Sequence, residues 1–245
     1  MLSVVVPVLN EADNICPLVG EIRAALEGRL EYEIVYVDDG SDDTSLAVLR
    51  DLMTTEPHLR VVQHQKRCGQ SAGMRTGARF ARFDWVVTLD GDGQNDPADI
   101  PKLWDAMPKN ADGNRPWMAI GHRVNRKDTW AKRLASRFAN GLRAWLLKDA
   151  TPDTGCGLKL FPRQVFLDMP WFSHIHRYLP AMIRRAGGES VSVPVNHRPR
   201  TLGTSKYGVF DRAWVGIWDL IGVMWLQRRN AVPTAKEIQR EKQNV

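Results

Sequence analysis

Trp85-Val86-Val87-Thr88-Leu89-Asp90-Gly91-Asp92-Gly93-Gln94 runs from an apolar, β-branched stretch straight into a pair of carboxylates separated by glycine. Trp85–Leu89 has the length and composition of a buried strand, and Asp90-Gly91-Asp92 forms a polar turn at its end. The same pattern recurs upstream. Leu2–Val8 is a β-branched run ended by Asn10-Glu11, Glu33–Val37 ends in Asp38-Asp39-Gly40-Ser41, and Arg60–His64 is a third short strand. Helices fit between them. Asn14–Leu26 carries Ile15, Leu18, Val19, Ile22, Ala25 and Leu26 at helical spacing, with Gly28 as the stop. A second helix spans 44–54 with Asp42 or Asp43 as its cap, and Gln70–Arg82 reads as a third. This alternation predicts an α/β fold with a mostly parallel central sheet flanked by helices. Ligands of such sheets bind at the carboxyl ends of the strands, where these polar clusters fall.

The second half is less regular. Trp117–Gly121 reads as a strand leading into His122-Arg123. Trp130–Leu147 reads as an amphipathic helix with Leu134, Phe138, Leu142 and Trp145 on one face and Lys132, Arg133, Ser136, Arg137 and Asn140 on the other. Val191–Val195 is a further strand, Asn196–Gly208 a basic loop broken by glycine and proline, and Ala213–Leu226 an apolar helix rich in tryptophan and methionine. A helix of that length spans roughly 21 Å, short of the about 30 Å of a bilayer's hydrocarbon core.

The chain has 245 residues, 43% hydrophobic and 25% charged, which suits one large folded domain or at most two small ones and argues against intrinsic disorder. Cys16, Cys68 and Cys156 lie far apart and form neither a CxxC pair nor a disulfide framework, which points to a reducing compartment. Met1-Leu2-Ser3 precedes Val4 without a basic leader, so no secretory signal is expected. The net charge of +6 conceals an asymmetry: residues 1–112 sum to −8 and residues 113–245 to +14. An acidic half suits a cation, and a basic half suits phosphate, nucleic acid or a membrane surface. Solvated charged faces are the plainer explanation of such runs.

Asp90 and Asp92 repel one another, and a divalent ion is the simplest positive partner. Mg2+ prefers a few carboxylates together with substrate phosphates, so an ion here would bridge the pair to a diphosphate. Asp38-Asp39-Gly40-Ser41 reads either as a plain turn or as the contact to a nucleobase or ribose, with Pro7 to Glu11 flanking the same nucleotide. His122, His174, His176 and His197 lack metal-ligand spacing, and no structural zinc site is expected. Cys156, between two glycines, reads as a small buried residue. Gly69, Gly73 and Gly77 resemble a loose phosphate loop, but no Gly-Lys-Ser/Thr follows, so packing or flexibility is expected of them.

Val5-Val6-Pro7-Val8-Leu9-Asn10-Glu11, Val37-Asp38-Asp39-Gly40-Ser41-Asp42-Asp43-Thr44 and Leu89-Asp90-Gly91-Asp92-Gly93-Gln94-Asn95-Asp96-Pro97 together resemble family 2 glycosyltransferases of the GT-A fold. Gly121-His122-Arg123, Lys132 to Arg137, Asp153-Thr154-Gly155-Cys156-Gly157 and His197-Arg198-Pro199-Arg200 leading to Gly203–Gly208 narrow the resemblance to polyprenyl-phosphate sugar synthases, over roughly residues 1–225. Dolichol-phosphate mannose synthase and undecaprenyl-phosphate glycosyltransferases are members.

The resemblance implies a Rossmann-like nucleotide-binding half (1–112) and an acceptor half (113–210) within one catalytic domain. It implies transfer of a hexose, with inversion, from a UDP- or GDP-sugar to a polyprenyl phosphate. Pro7, Leu9, Glu11, Asp39 and Asp90 would bind the donor nucleotide, and Asp90, Asp92 and Gln94 would hold Mg2+ or Mn2+. Arg123, Lys132, Arg133, Ser136, Arg200 and Lys206 would cradle the acceptor phosphate. Asp92, Arg123 and Arg200 would be the catalytic set. Arginine suits that work because its planar fork binds two phosphate oxygens, and on a helix Lys132 and Ser136 share one face.

Many relatives continue into transmembrane helices, and no stretch of about 18 uncharged apolar residues is found in this sequence. Residues 211–229, flanked by Arg212, Arg228 and Arg229, are expected either to lie at the headgroups of the inner face of the cytoplasmic membrane or to pack on the domain with Asp219 toward solvent. Residues 230–245 are expected to form a flexible tail. Two rival functions remain. A transferase acting on a glycan hydroxyl would need a general base, for which Asp153 is the candidate. A nucleic-acid binder would exploit the basic half, but the acidic first half and the lack of a base-reading motif argue against nucleic acid as a partner.

Overall fold

The computed structural model describes residues 1–111, 113–124, 141, 143–149, 151–199 and 209–233. Seven strands form one sheet: β1 (Leu2–Val8), β2 (Tyr32–Asp38), β3 (Leu59–Gln63), β4 (Trp85–Thr88), β5 (Trp117–Arg123), β6 (Lys159–Pro162) and β7 (Glu189–Val195). Their spatial order is β3-β2-β1-β4-β6-β5-β7. β3, β2, β1 and β4 pair in parallel, as do β5 and β7. Only β6 runs the other way, antiparallel to both β4 and β5. The carboxyl ends of β1, β2, β4 and β5 therefore share one edge with the start of β6.

The apolar runs are buried on both faces, which is why they do not alternate in the sequence. Val4, Val6 and Val8 of β1 and Ile34 and Tyr36 of β2 join one core. There they meet Ile15, Leu18, Val19 and Ile22 of α1 (Ala12–Leu26). The intervening Val5, Val35 and Val37 join a second core on the other face. Met74 and Ala78 of α3 (Gln70–Phe80) cover it, with Phe166 of α5 (Arg163–Leu167) and Met182 and Ile183 of α6 (Leu179–Arg185). α2 (Ser45–Leu52) and α4 (Ile100–Asp105) complete the first face.

α3 lies unusually close to β1. A Cβ on Gly77 would come within 2.2 Å of Val5 Cγ1, and one on Gly73 within 2.7 Å of Pro7 Cβ. Packing is therefore the work of these two glycines. The N-cap of α2 is Thr44, not the expected Asp42 or Asp43, and its side chain makes no cap bond; Asp43, one residue earlier, accepts from the Ser45 N–H through Oδ1 at 2.8 Å.

The elements foreseen along residues 1–92 are all present, with ends shifted by a residue or two. β6, α4, α5 and α6 were not foreseen. The helix expected at Ala213–Leu226 extends over Val209–Arg228 as α7. Its Val223 is buried and its Leu220 and Met224 pack on the second core, while Ile217, Trp218, Ile221 and Trp225 are exposed. Asp219 does not face solvent as the packed arrangement would have had it: its Oδ2 lies 3.1 Å from His174 Nδ1. One face of this helix therefore packs on the domain, as one of the two expected placements has it, and the other face is exposed. Of the helix expected at Trp130–Leu147, residues 143–147 are helical, and 130–140 lie outside the described residues.

Candidate active site

The loops after β1 and β2 are stapled together. Asn10 N–H donates to Ser41 Oγ at 3.0 Å, Asp42 N–H donates to Asn10 Oδ1 at 3.0 Å, and Glu11 N–H donates to Ser45 Oγ at 2.9 Å. Glu11 also accepts from Asn14 Nδ2 at 2.7 Å, so its carboxylate is set at the head of α1. Asp39 is buried, and both of its oxygens face the segment before α3. Oδ1 accepts from Cys68 N–H at 2.8 Å and lies 2.7 Å from His64 Nδ1, and Oδ2 accepts from Gly69 N–H at 2.7 Å. Asp39 thus holds the 64–69 loop against the end of β2, a tie that the turn motif did not disclose. Asp39, His64 and Cys68 also bring three potential metal-ligand atoms within 4.8 Å of one another. Both ring nitrogens of His64 already have partners, Asp39 and, at 2.9 Å, Thr76 Oγ1, which accounts for the grouping.

Asp90 stands at the centre of the edge. Its N–H donates to Asn95 Oδ1 at 3.1 Å, and its Oδ1 accepts from Gln70 Nε2 at 2.6 Å, at the start of α3. Gly157 makes room for its carboxylate: a Cβ there would fall 2.2 Å from Asp90 Oδ2. Burial and the neighbouring Asp92 carboxylate push Asp90 up to about 6, against the opposing pull of Lys159, Arg123 and the Gln70 hydrogen bond. Asp92 Oδ1 accepts from Gln94 N–H at 3.2 Å, which orders the turn. Two hard oxygen donors crowded closely enough to raise a pKa fit a divalent cation such as Mg2+ or Mn2+.

Arg123 at the end of β5 forks onto Asp153, Nε to Oδ2 at 2.6 Å and Nη2 to Oδ1 at 2.8 Å. Burial opposes the Arg123 charge, but the Asp153 carboxylate outweighs it and holds the guanidinium above its ordinary value. With both oxygens in this fork, Asp153 orients an arginine, which disfavours it as a free base for a hydroxyl acceptor. Cys156 is buried, and burial raises its thiol, in keeping with a packing residue.

Beneath this turn lies a residue that sequence reasoning missed. Lys159 is 2% exposed, and its Nζ donates to the Cys156 carbonyl. Burial lowers its ammonium below the ordinary value, while Cys156, Asp90 and Asp153 oppose that shift. The signal was available as a lysine inside the apolar run Leu158-Lys159-Leu160-Phe161.

The head of the basic loop is tied to the first half of the chain. Arg198 N–H donates to Gln94 O at 3.0 Å, and the Arg198 guanidinium reaches Glu21 and Asp96, both at 2.7 Å. Asn196 N–H donates to Asp99 Oδ2 at 2.6 Å. Lys132, Arg133, Ser136, Arg200 and Lys206 lie outside the described residues. The structure brings Pro7, Leu9, Glu11, Asp39, Asp90, Asp92, Gln94 and Arg123 to one edge of the sheet.

A mostly parallel sheet with the Asp90-Gly91-Asp92 turn at its carboxyl edge is the architecture of a GT-A type transferase. The sequence model of Glycosyl transferase family 2 matches residues 3–169, and the chain belongs to that family. It is similar to a dodecaprenyl-phosphate galacturonate synthase of Rhizobium johnstonii, 35% identical over 95% of this chain and 69% of the relative. It is also similar to an undecaprenyl-phosphate 4-deoxy-4-formamido-L-arabinose transferase of Edwardsiella ictaluri, 34% identical over 85% of this chain and 63% of the relative. The chain therefore spans about two thirds of the length of these relatives. Among solved structures, it shares its fold with glucosyl-3-phosphoglycerate synthase of Mycobacterium tuberculosis in complex with Mn2+, uridine diphosphate and glucosyl-3-phosphoglycerate. The TM-score is 0.66 at 18% identity, covering 94% of this chain and 81% of that one.

Proposed function

We propose that the protein transfers a sugar, with inversion, from a nucleoside-diphosphate sugar to a polyprenyl phosphate at the inner face of the cytoplasmic membrane. The observation that carries this is the meeting of Asp90 and Asp92 with the Arg123–Asp153 fork at one strand edge. The curated relatives, named for dodecaprenyl and undecaprenyl phosphate, support the acceptor. The solved structure with uridine diphosphate and Mn2+ supports a uridine donor and a divalent ion.

In this reading Pro7, Leu9, Glu11 and Asp39 receive the nucleotide, and Asp90, Asp92 and Gln94 hold Mg2+ or Mn2+. When bound, such an ion would supply positive charge against the diphosphate. Arg123, together with Lys132, Arg133, Ser136, Arg200 and Lys206, receives the acceptor phosphate. A phosphate monoester is already anionic at pH 7, so it attacks the anomeric carbon with little need of a base. The rate then depends on positioning and on cationic groups preset around both phosphates. The forked geometry of Asp153 favours this acceptor over a glycan hydroxyl. No helix among the described residues is long and apolar enough to cross a membrane. The exposed Trp218, Ile221 and Trp225 of α7, near Arg228 and Arg229, support contact with the headgroup layer.

The test is product formation with undecaprenyl or dolichyl phosphate, Mg2+ or Mn2+, and a panel of UDP- and GDP-sugars. A lipid-linked sugar that disappears with EDTA is expected. Nucleotide-sugar binding with no transfer to any lipid phosphate would instead favour a hydroxyl acceptor.

A further inference from the structure

We propose that Lys159 is a positioning residue of this transfer, fixing the 153–157 turn so that Asp153 aims Arg123 while Gly157 seats Asp90. The inference rests on the proposed transferase reading and adds to it a residue that links the donor and acceptor sides.

Lys159 opens β6, with Thr88 of β4 opposite it on one side and Ile120 of β5 on the other. An ammonium in the middle of a sheet is unfavourable unless it is paired and hydrogen-bonded. A methionine would fill such a place at no electrostatic cost, so the lysine calls for a role that an apolar side chain lacks.

That role is visible in what holds the turn. The Cys156 carbonyl accepts from Lys159 Nζ, and the next carbonyl, Gly157 O, accepts from Thr88 Oγ1 at 2.7 Å. Two side chains rising from adjacent strands thus grip two consecutive peptides. The turn they grip faces both substrates' sides. At one end Asp153 receives the two bonds of the Arg123 fork. At the other, Gly157 lies so close to Asp90 that any shift of the turn moves into the carboxylate or away from it. Asp90 and Asp153 also supply the negative charge that opposes the desolvation of Lys159. Lys159 itself is too buried to touch a substrate, so its action passes through the turn.

The experiment compares Lys159→Met, which keeps the bulk and removes the donor, with Lys159→Gln, which keeps a donor and removes the charge. Lys159→Met is expected to lower kcat/KM for the lipid phosphate about a hundredfold, the scale of a small misplacement at a reacting centre. Metal-free binding of the nucleoside diphosphate, measured by calorimetry, stays unchanged, because β1 and β2 form that pocket. Lys159→Gln is expected to recover kcat/KM to within about tenfold of the parent, through the restored carbonyl bond.

A second readout needs no acceptor. The Arg123 Nε–H resonance in a 15N NMR spectrum, shielded by the Asp153 fork, is expected to be lost or to exchange rapidly in Lys159→Met and to return in Lys159→Gln. If Lys159→Met melts at a lower temperature but keeps both kcat/KM and the Arg123 resonance, the residue is merely structural and the inference fails. If Lys159→Gln is as impaired as Lys159→Met, the charge and not the carbonyl bond is at work, and the inference fails in that way. A parent protein that makes no lipid-linked product would overturn the functional reading, while the resonance would still decide the role of Lys159.

Discussion

Gly157 and Asp90 face each other across the join between β4 and β6, with no space for a side chain between them: a Cβ on Gly157 would sit 2.2 Å from Asp90 Oδ2. Gly157→Ala must therefore push the Asp90 carboxylate aside or open the turn. Either shift would misalign a ligand of the proposed cation site, and activity is expected to fall by about a hundredfold. Nucleotide binding without metal should change little, since a Cβ on Gly157 would meet Asp90 and neither Asp39 nor the β1 loop. Calorimetry with and without Mn2+ separates the two, and an alanine variant with unaltered metal affinity would contradict the close fit.

Asp90 leads to a pH prediction. Its pKa is raised from 3.8 to about 6, so its contribution favours folding below the ordinary carboxylate range and is lost as pH rises through 6. Cation binding needs the ionised form, and affinity for Mn2+ should weaken about tenfold for each pH unit below 6. Thermal shift by Mn2+ should accordingly be large at pH 7 and small at pH 5. Asp90→Asn should raise the metal-free melting temperature and abolish both the shift and the activity. Equal shifts at the two pH values would show that this carboxylate does not hold the ion.

The first 92 residues were legible because each strand there is a continuous apolar run closed by turn residues, and each helix keeps its period. β6 was not, because a lysine breaks its apolar pattern and only the fold reveals that Asp90 and Asp153 compensate that charge. The acidic turn at Asp90-Gly91-Asp92 was readable from residue types alone. The partners that position it, Gln70, Asn95 and Gly157, come from three other places in the chain and carry no local signature. Asp39 shows the same limit: two adjacent aspartates read as a turn, and the three bonds into the 64–69 loop appear only when α3 is docked.

The docking of α3 is itself testable. Gly77→Ala would place a methyl group within 2.2 Å of Val5 Cγ1 and 3.3 Å of Val37 Cγ2. Forcing helix and sheet apart should cost about 1–3 kcal/mol of stability, despite alanine's better helix propensity. Chemical denaturation measures this directly. A stabilised variant would mean that α3 yields easily.

Asp153→Asn separates the two acceptor readings. The amide cannot match the two-bond fork on Arg123, and removing one member of a buried ion pair typically costs about 3–5 kcal/mol. Lowered thermal stability and an about tenfold or greater loss of kcat/KM for lipid phosphate are expected, with nucleotide affinity preserved. Full use of lipid phosphate alongside selective loss of transfer to a hydroxyl acceptor would restore Asp153 as a base.

α7 offers the last prediction, concerning where the protein works. One face of the helix is spent on the core through Leu220, Val223 and Met224, while Trp218, Ile221 and Trp225 stand exposed at 61%, 51% and 58%. Exposed tryptophans spaced along one side of a helix suit the headgroup layer, where the ring is buried and its N–H stays wet. Arg228 and Arg229 add attraction to anionic lipid, a contribution that salt screens over about 10 Å at 0.1 M. Replacing Trp218 and Trp225 together by alanine should leave the fold intact, because neither ring is in the core. It should also release the protein from vesicles containing anionic phospholipid. Cosedimentation of parent and variant at low and high salt distinguishes the two forces. Release of the parent by salt alone assigns the attachment to the basic residues, and retention in high salt that is lost in the double variant assigns it to the tryptophans. A double variant that sediments like the parent at both salt concentrations would remove α7 from the membrane contact altogether.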